Sequence, residues 1–439
     1  MTASERQTKR LTIRNALIFD GESPDLIEGS ISIRDGRITA VGREVEETGA
    51  VLDAGGRTVI PGLIDAHFHA YALSLTSAKN ETGPLSYSAL AGARRLAATL
   101  LRGFTAVRDV AGGDVGLASA IEEGLYPGPR YFFTGPALSQ TGGHGDIRAA
   151  NNGGCFHGGH MCEVVDGADD LLRAVRHRFR TGASAIKLMT SGGVVSPVDP
   201  IRVPQYSAEE IRVVTEEASR RGSYATAHAY SPDAIRHSVL NGVRCIEHGN
   251  LLDTETARLM ADNDVYLVPT LVTYEAMERR GEEVGLTKVG AAKNREVLEA
   301  GRNAVALARD AGVRIGFGTD LMGELEDEQL AGLRLQCEVL GVYGALRSAT
   351  STNAALLRRS DLGRITRGSC ADLVVLDGNP FNEPSILWDE SKTRTVIKDG
   401  QIISTGALRG AADFQRIPAE HVSVPQDRRY FPSAECSGL

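Results

Sequence analysis

The chain has 439 residues, of which 42% are hydrophobic and 24% are charged, a globular composition that excludes long disordered regions. Because a chain of this length exceeds what one compact core usually spans, we expect a large domain and a smaller one. The net charge of -8 argues against a nucleic-acid surface, and no apolar run reaches the roughly 18–20 residues that span a bilayer. Neither nucleic acid nor a membrane is therefore an expected partner.

The N-terminus and the cysteines indicate the compartment. The first ten residues, MTASERQTKR, are polar and precede a strand-like segment rather than the apolar core of a signal peptide. The cysteines include no C-x-x-C pair, which suits reduced thiols better than a disulfide framework: Cys155, Cys162, Cys245, Cys337, Cys370 and Cys436. We expect a cytoplasmic enzyme that assembles as a homo-oligomer.

Both chain ends are predicted to form β-structure. Apolar and polar residues alternate in several short segments, and Asp35-Gly36 and Asp399-Gly400 are typical hairpin turns. The predicted strand segments are Leu11–Phe19, Ile31–Val41, Ala371–Leu376 and Arg394–Ile403. We expect residues 1–60 and 360–439 to form one composite β-sandwich domain with a C-terminal tail.

The middle of the chain, residues 61–359, alternates strand-like and helical segments. Ser207 with Glu210 forms a capping box, and Ser231-Pro232 supplies an N-cap and an N1 proline. An open doubly wound sheet is the rival, but it would typically show a Gly-rich phosphate turn after its first strand, and none is present. The pattern predicts an α/β fold, a (β/α)8 TIM barrel, with strands at Val59–His67, Phe104–Val110, Arg130–Leu138, Ala185–Thr190, Tyr224–Ala229, Cys245–Gly249, Tyr266–Leu271 and Arg314–Thr319.

His67 and His69 stand at the end of the first predicted barrel strand, in Asp65-Ala-His-Phe-His. Alternation along a strand sends both side chains to one face, where two imidazoles can bind one metal. An isolated H-x-H could also lie at a strand edge without any ligand. This alternative is disfavoured if other ligand-type residues lie at the ends of other barrel strands.

Other ligand-type residues do occupy such places. Lys187 lies among apolar residues in the fourth strand, where a charged ammonium is costly and a neutral amine could react with carbon dioxide to form a bridging carbamate. His228, His248 and Asp320 end the fifth, sixth and eighth strands. Barrel enzymes keep their active sites at this end of the strands, so the set predicts a metal centre.

These motifs resemble the amidohydrolase superfamily, specifically its binuclear members with a carboxylated lysine. Val59-Ile-Pro-Gly-Leu-Ile-Asp-Ala-His-Phe-His is similar to the first-strand signature of the family, and the segment 363–377 resembles the second half of its sandwich. The resemblance covers about residues 10–405. It implies two divalent metal ions per chain, with zinc expected, and the following ligands: His67, His69 and Asp320 for the more buried metal, His228 and His248 for the more exposed one, and the carbamate of Lys187 between them. Thr352-Asn-Ala-Ala departs from many relatives, which have proline after the Asn.

The loop Thr141-Gly-Gly-His-Gly-Asp resembles the prolidase-like branch, whose members cleave dipeptides and N-acyl amino acids, often at arginine, lysine or proline. The resemblance gives His144 the role of donor to the scissile carbonyl and Tyr230 contact with the substrate carboxylate. Backbone N–H groups of Gly193, Val194 and Val195 could bind the same carboxylate. An exposed loop histidine, and a tyrosine that only packs at the barrel rim, remain the alternatives.

The segment Cys155-x-His157-x-x-His160-x-Cys162 has the residue types of a second metal cluster. It lies in a Gly- and Asn-rich loop with no flanking structure that would hold four ligands. A wall or lid of the pocket is the favoured interpretation.

Together these features predict a metal-dependent hydrolase that cleaves a C-terminal amide bond in a small dipeptide or N-acyl amino acid by a metal-activated hydroxide. Asp320 would take a proton from the attacking water and pass it to the leaving amine, while His144 stabilises the oxyanion.

Three alternatives stay open. The first is a cyclic-amide hydrolase resembling imidazolonepropionase, against which Lys187 argues, because those enzymes use one metal and no carbamate. The second is an amidase or carbamate hydrolase for a xenobiotic or secondary-metabolite amide. The third is an inactive relative that serves as a scaffold, against which the complete ligand set argues.

Overall fold

The computed structural model of the chain describes residues 10–148, 151, 156, 158–196 and 199–406. Its strands are β1 (Arg10–Ile18), β2 (Ile27–Arg34), β3 (Arg37–Gly42), β4 (Ala50–Asp53), β5 (Thr58–Pro61), β6 (Leu63–Phe68), β7 (Phe104–Asp109), β8 (Arg130–Phe133), β9 (Ala137–Ser139), β10 (Cys162–Val164), β11 (Ile186–Met189), β12 (Ala225–Ala229), β13 (Cys245–His248), β14 (Tyr266–Val268), β15 (Arg314–Ile315), β16 (Leu373–Leu376), β17 (Arg394–Lys398) and β18 (Gln401–Gly406).

The α-helices are α1 (Ser77–Thr82), α2 (Leu85–Leu101), α3 (Val115–Glu122), α4 (Ala168–Arg180), α5 (Ala208–Arg220), α6 (Pro232–Leu240), α7 (Thr254–Asp262), α8 (Leu271–Arg280), α9 (Lys288–Asp310), α10 (Ala331–Arg347) and α11 (Asn353–Leu356). Short 3-10 helices span Gly323–Glu328 and Pro384–Leu387, and a π-helical turn spans Ser348–Thr352. Within the described part of the chain, no helix combines the length and the apolarity needed to cross a membrane.

A mixed sheet of eight strands is built from both chain ends, in the order β18-β17-β16-β5-β1-β2-β3 with β4 beside β1. The two predicted Asp-Gly hairpins are present, with Asp35 and Asp399 in the left-handed region at φ 49° and 50°. Strands from both chain ends share one core, because Ile13 on β1, Val59 on β5 and Ile397 on β17 belong to one cluster of buried side chains.

The middle of the chain forms two parallel sheets with helices between most successive strands, so the predicted α/β class is confirmed. Seven strands follow the order β10-β9-β11-β12-β13-β14-β15, and three more follow the order β6-β7-β8. Apolar side chains of the strands pack against those of the helices, as Leu188 and Ile246 do with Ile211 and Ile235 in one large core.

Backbone hydrogen bonds join the two parallel sheets at both sides. On one side Ala66 N–H donates to Phe317 C=O at 2.9 Å, and Asp320 N–H donates to His67 C=O at 2.8 Å. On the other side Ser184 N–H donates to Phe133 C=O at 2.8 Å. The ends of the first and last parallel strands are thereby brought next to each other.

Several predicted strand bounds are wrong, and the first of them has a clear physical reason. The predicted strand Val59–His67 divides at Gly62 into β5, which pairs with β1 and β16, and β6, which pairs with β7. A Cβ atom at Gly62 would overlap the side chain of Thr105, so glycine permits the close crossing between the sheets.

Three further strands end differently from the prediction. The last, predicted as Arg314–Thr319, ends at Ile315, and Gly316 N–H is the last to bond to β14, so Asp320 lies five residues beyond the strand. The segment predicted as Arg130–Leu138 is interrupted and forms β8 and β9, and the segment predicted as Tyr266–Leu271 ends at Val268, with Leu271 beginning α8. The predicted helix starts are confirmed. Ser207 and Glu210 form a reciprocal capping box, and the Ser231 hydroxyl accepts from Ala234 N–H ahead of Pro232 at N1.

Candidate metal centre and active site

One cavity of about 800 Å³, including its open mouth, lies at the carboxyl ends of the parallel strands. Its walls contain all but one of the residues proposed for the site from sequence: His67, His69, His144, Lys187, Val194, Val195, His228, Tyr230, His248 and Asp320. Gly193 is the exception, although it neighbours Val194. Residues from distant parts of the chain therefore meet where the sequence analysis placed the chemistry.

Asp65 ties the first strand to the last. It is fully buried and accepts hydrogen bonds from His67 N–H at 3.1 Å and from the N–H and hydroxyl of Thr319 at 3.2 and 2.6 Å. Gln329 adds a fourth bond at 3.0 Å. Because Thr319 precedes Asp320, these bonds fix two candidate ligands, His67 and Asp320, relative to one another.

A buried charge network orients the ring of His67. Its Nδ1 lies 2.8 Å from a carboxylate oxygen of Glu247, so its Nε2 is left to face the cavity. The other oxygen of Glu247 accepts from the Arg108 guanidinium at 2.6 Å and from the Thr226 hydroxyl. Although burial opposes ionisation, Arg108 holds the pKa of Glu247 well below its usual range, so the carboxylate is charged.

His248 and Asp320 both have left-handed backbone conformations, with φ of 75° and 53°. Residues other than glycine rarely adopt this region, and such strain is concentrated at functional sites. One oxygen of Asp320 lies 3.5 Å from His67 Nε2 and 2.9 Å from His69 Nε2, and the other lies 3.9 Å from His248 Nδ1. The carboxylate therefore stands in the centre of three imidazoles.

These side chains fit a divalent cation. One ligand atom each from His67, His248 and Asp320 lies within 4.8 Å of the others, and all three residues are buried. The Nδ1 atom of His69 is buried and has no hydrogen-bond partner among the described residues. Imidazoles that face a carboxylate in a buried pocket are a typical donor set for a transition metal.

The remaining candidate ligands lie on neighbouring strands. Lys187 on β11 is fully buried, and burial lowers the pKa of its amine and so favours the neutral form. His228 on β12 packs against His248, with ring centroids 4.5 Å apart. Burial, followed by the neighbouring histidine His144, lowers the pKa of His228 well below its usual range. A neutral imidazole is the form that binds metals.

His144 lies against the histidine group rather than in solvent. Its ring stacks on that of His228, with centroids 4.3 Å apart and an interplanar angle of 23°. Its Nδ1 is 2.8 Å from Ser196 Oγ and 3.4 Å from a carboxylate oxygen of Asp199. His144 is therefore held by contacts within the protein, and the alternative of an exposed loop histidine is wrong.

Tyr230 is buried in the wall, and its hydroxyl lies 2.9 Å from that of Tyr274. The Tyr274 hydroxyl in turn lies 2.9 Å from His248 Nδ1. The backbone N–H of Gly193 donates to Asp199 at 3.0 Å, so this group already has an acceptor within the protein. Val194 and Val195 contribute apolar side chains to the cavity.

Most of the remaining lining is apolar. It includes four methionines, Met161, Met189, Met277 and Met322, which are flexible and adapt to irregular ligands. Lys187 is the one Lys or Arg among the residues that line this cavity in the described part of the chain.

Sequence reasoning missed the residues that contact the candidate ligands or His144, directly or through one further residue. Asp109 Oδ1 lies 3.9 Å from His69 Nδ1, and Thr270 Oγ1 lies 2.8 Å from His248 Nδ1. The others are Arg108, Glu247, Tyr274, Ser196, Asp199 and Lys293. The buried charges of Arg108 and Glu247 in strand segments were a usable signal, because a buried charge requires a partner. In the Cys155–Cys162 segment, Cys155 and His157 lie outside the described residues. His160 Nε2 is 2.7 Å from Gly83 C=O, and Cys162 is a free, buried thiol that lines the cavity.

Comparison with known proteins places the chain in a family. The amidohydrolase family profile matches residues 58–403. Ochratoxinase from Aspergillus niger is 30% identical over 428 residues, covering 91% of this chain and 88% of the relative.

Two solved structures share the fold and are matched over their whole length. A prolidase in complex with N-methylphosphonate-L-proline is 41% identical with a TM-score of 0.87, covering 90% of this chain and 100% of its own. A Xaa-Pro dipeptidase with bound methionine is 29% identical with a TM-score of 0.80, covering 91% and 100%. The resemblance to the prolidase-like branch is thereby confirmed, and the chain belongs to the amidohydrolase family.

Proposed function

We propose that this protein is a metal-dependent hydrolase that cleaves the amide bond of dipeptides or N-acyl amino acids with a free α-carboxylate. The single observation that carries the proposal is the cavity itself. It gathers the six ligand-type residues His67, His69, Lys187, His228, His248 and Asp320 at one strand end, with His144 beside them. The similarity to a prolidase and a Xaa-Pro dipeptidase supports the choice of an amide bond.

Two divalent cations, most simply zinc, are proposed for the site. His67, His69 and Asp320 would hold the more buried one, and His228 and His248 the more exposed one. Lys187, carboxylated on its amine, would contribute to both. Bound cations of this kind lower the pKa of water and polarise a carbonyl group.

The chain's own residues would handle the protons and the developing charge. The carboxylate of Asp320, central among the imidazoles, would accept a proton from the attacking water and then deliver it to the leaving amine. His144 would donate a hydrogen bond to the carbonyl oxygen as that oxygen gains negative charge. Tyr230 would lie along the wall beside the substrate carboxylate.

The architecture that supports this chemistry is proposed to be a closed (β/α)8 barrel of residues 61–359. The hydrogen bonds that join the two parallel sheets at both sides support closure. Residues 1–60 and 360–439 would form the second domain, for which the shared core of Ile13, Val59 and Ile397 is the support.

An N-acyl amino acid and the same compound with its carboxylate amidated test the substrate class. We expect kcat/KM to fall steeply for the amidated form, because a pocket built around a carboxylate leaves its polar groups mispaired. Each assay uses protein whose metal content has been measured. Equal values for the pair would contradict the carboxylate requirement.

One observation favours a second candidate, the hydrolysis of a bulky xenobiotic or secondary-metabolite amide. The cavity is lined by four methionines, and among the described residues that line it Lys187 is the one lysine or arginine. The similarity to ochratoxinase supports the same candidate. A preference for large aromatic acyl groups, whether or not the carboxylate is amidated, is the result expected of this activity.

A further inference from the structure

We propose that Asp199 and Lys293 are positioning residues that act through His144, fixing the ring orientation in which it meets the substrate carbonyl. The inference rests on the proposed function, because it concerns how the site is assembled for amide hydrolysis. Both residues lie far from His144 in sequence, Lys293 on α9 and Asp199 in the loop after β11.

The hydrogen-bond pattern around His144 determines which ring nitrogen is left for a ligand. The Ser196 hydroxyl donates to one oxygen of Asp199. Its oxygen can therefore accept from His144 Nδ1, which lies 2.8 Å away, while the second Asp199 oxygen lies 3.4 Å from the same nitrogen. Nε2 is then the ring nitrogen left for a substrate oxygen. Donation from both Nδ1 and Nε2 requires a proton on each nitrogen, and the buried Asp199 is the neighbouring carboxylate that balances this charge.

Asp199 is itself held rigidly. It is 3% exposed, and its carboxylate also accepts from Gly193 N–H at 3.0 Å. It does not line the cavity. A carboxylate in this position cannot reach a substrate directly, so any effect on the reaction must pass through the residues that it contacts.

Lys293 binds the backbone at Ser196 and on both sides of it, at Gly193 and Asp199. Its ammonium donates to the carbonyl oxygens of Gly193, Ser196 and Asp199 at 2.9, 2.7 and 2.7 Å. These three bonds hold the backbone of Gly193, Ser196 and Asp199 against α9, and the Lys293 Nζ also lies 3.9 Å from Asp199 Oδ1. Lys293 therefore fixes the backbone position on which the Asp199–His144 contact depends.

Gly193 provides the space that the ring needs. A Cβ atom at this position would overlap the imidazole of His144. The ring therefore lies close to the backbone of Gly193 and stacks on the ring of His228, whose centroid is 4.3 Å away. These contacts and the hydrogen bond at Nδ1 restrict the orientation of the imidazole.

A double-mutant cycle tests the coupling. His144→Asn is expected to lower kcat about 10²–10³-fold, as loss of one oxyanion donor does. Asp199→Asn is expected to lower kcat about 10–100-fold with KM within about twofold, as loss of a supporting partner does. If Asp199 acts through His144, the double variant should be no slower than His144→Asn alone. Multiplied losses in the double variant would overturn the proposal, as would an Asp199→Asn variant with wild-type kcat.

Matched controls separate positioning from general damage. Lys293→Met should lower kcat in the same direction as Asp199→Asn, whereas Lys288→Met, on the exposed start of the same helix, should not. Asp233→Asn, an exposed carboxylate on α6, is the control for Asp199. Equal effects of Lys293→Met and Lys288→Met would overturn the role of Lys293.

Crystal structures of the wild type and Asp199→Asn provide a readout that does not depend on turnover. The expected result is a His144 ring that is rotated or disordered in the variant, with the histidines of the metal site unmoved. An unchanged ring would overturn the positioning role. A wild-type protein that hydrolyses no amide would instead overturn the proposed function, and the crystallographic comparison would still decide this inference.

Discussion

The two sides of the cavity are built in different ways. The ligand floor, which we define as the candidate metal ligands His67, His69, Lys187, His228, His248 and Asp320, stands on parallel strands or within five residues of their ends. The loop wall, which comprises His144, residues 193–196 and Asp199 with their contacts, stands on connecting segments. The floor is supported by buried hydrogen bonds such as those of Asp65 and Glu247. The wall is held by one lysine from a distant helix and one buried aspartate.

This difference separates two requirements of a hydrolase. Metal ligands need positions fixed by the backbone, and strands with paired edges supply them. A substrate-binding wall has to accommodate substrates of different shapes, and loops can change in sequence and length without disturbing the strands. A few polar contacts then fix the positions of the loop side chains. The following predictions begin with the floor, where the largest effects are expected.

Lys187→Ala should abolish measurable activity and lower the metal content from roughly two ions per chain to one or none, because no other described residue stands in its place. Elemental analysis of protein purified without chelators, together with amide hydrolysis, measures both. Short carboxylic acids should restore part of the activity by standing in for the carbamate. Full activity without added acid would contradict the role given to Lys187.

Asp320→Asn should lower kcat roughly 10³–10⁴-fold, because the amide keeps the volume but cannot carry the proton. Circular dichroism should show an intact fold. Asp310→Asn, exposed at the end of α9, is the control and should keep wild-type kcat. A small effect of Asp320→Asn would assign the proton transfer to another residue.

Glu247→Gln tests the support beneath the floor. The change leaves Arg108 buried with a neutral partner, and one amide oxygen can no longer accept from both Arg108 and His67 as the two carboxylate oxygens do. We expect the free energy of unfolding to fall by about 3–5 kcal/mol and metal affinity to fall about 10–100-fold. Denaturant unfolding and metal titration measure the two effects. Glu299→Gln on the exposed face of α9 should change neither.

Tyr230→Phe probes the wall and should have the smallest effect. If its hydroxyl contacts the substrate carboxylate, KM should rise about 3–10-fold with kcat unchanged, as loss of one hydrogen bond does. Tyr274→Phe removes the same inter-tyrosine bond but leaves the Tyr230 hydroxyl in place, so its KM should stay near the wild-type value. Its kcat is not a control, because the Tyr274 hydroxyl also contacts His248. Equal KM values in both variants and the wild type would leave Tyr230 as a packing residue.

Much of the strand framework could be predicted from sequence, because each strand carries its own pattern. Alternation at Leu11–Phe19 and the Asp-Gly hairpins specify the mixed sheet locally, and short apolar runs such as Ile186–Met189 specify the parallel strands. The candidate ligands at the strand ends could be predicted as well, because parallel strands bring their carboxyl ends to one edge. The division of β5 from β6 at Gly62 could not be predicted, because it depends on the approach of Thr105 from another strand.

The sequence by itself determined the α/β class, the family resemblance and the candidate ligands at the strand ends, because those depend on local pattern and on motifs within a few residues. Only the tertiary structure decided which side chains support them. Glu247 behind His67, Asp199 beside His144 and Lys293 across the loop are separated by 180, 55 and 94–100 residues from the groups they hold. A hydrogen bond between such residues leaves no periodic trace in the sequence, because it exists only once the strands and helices have packed.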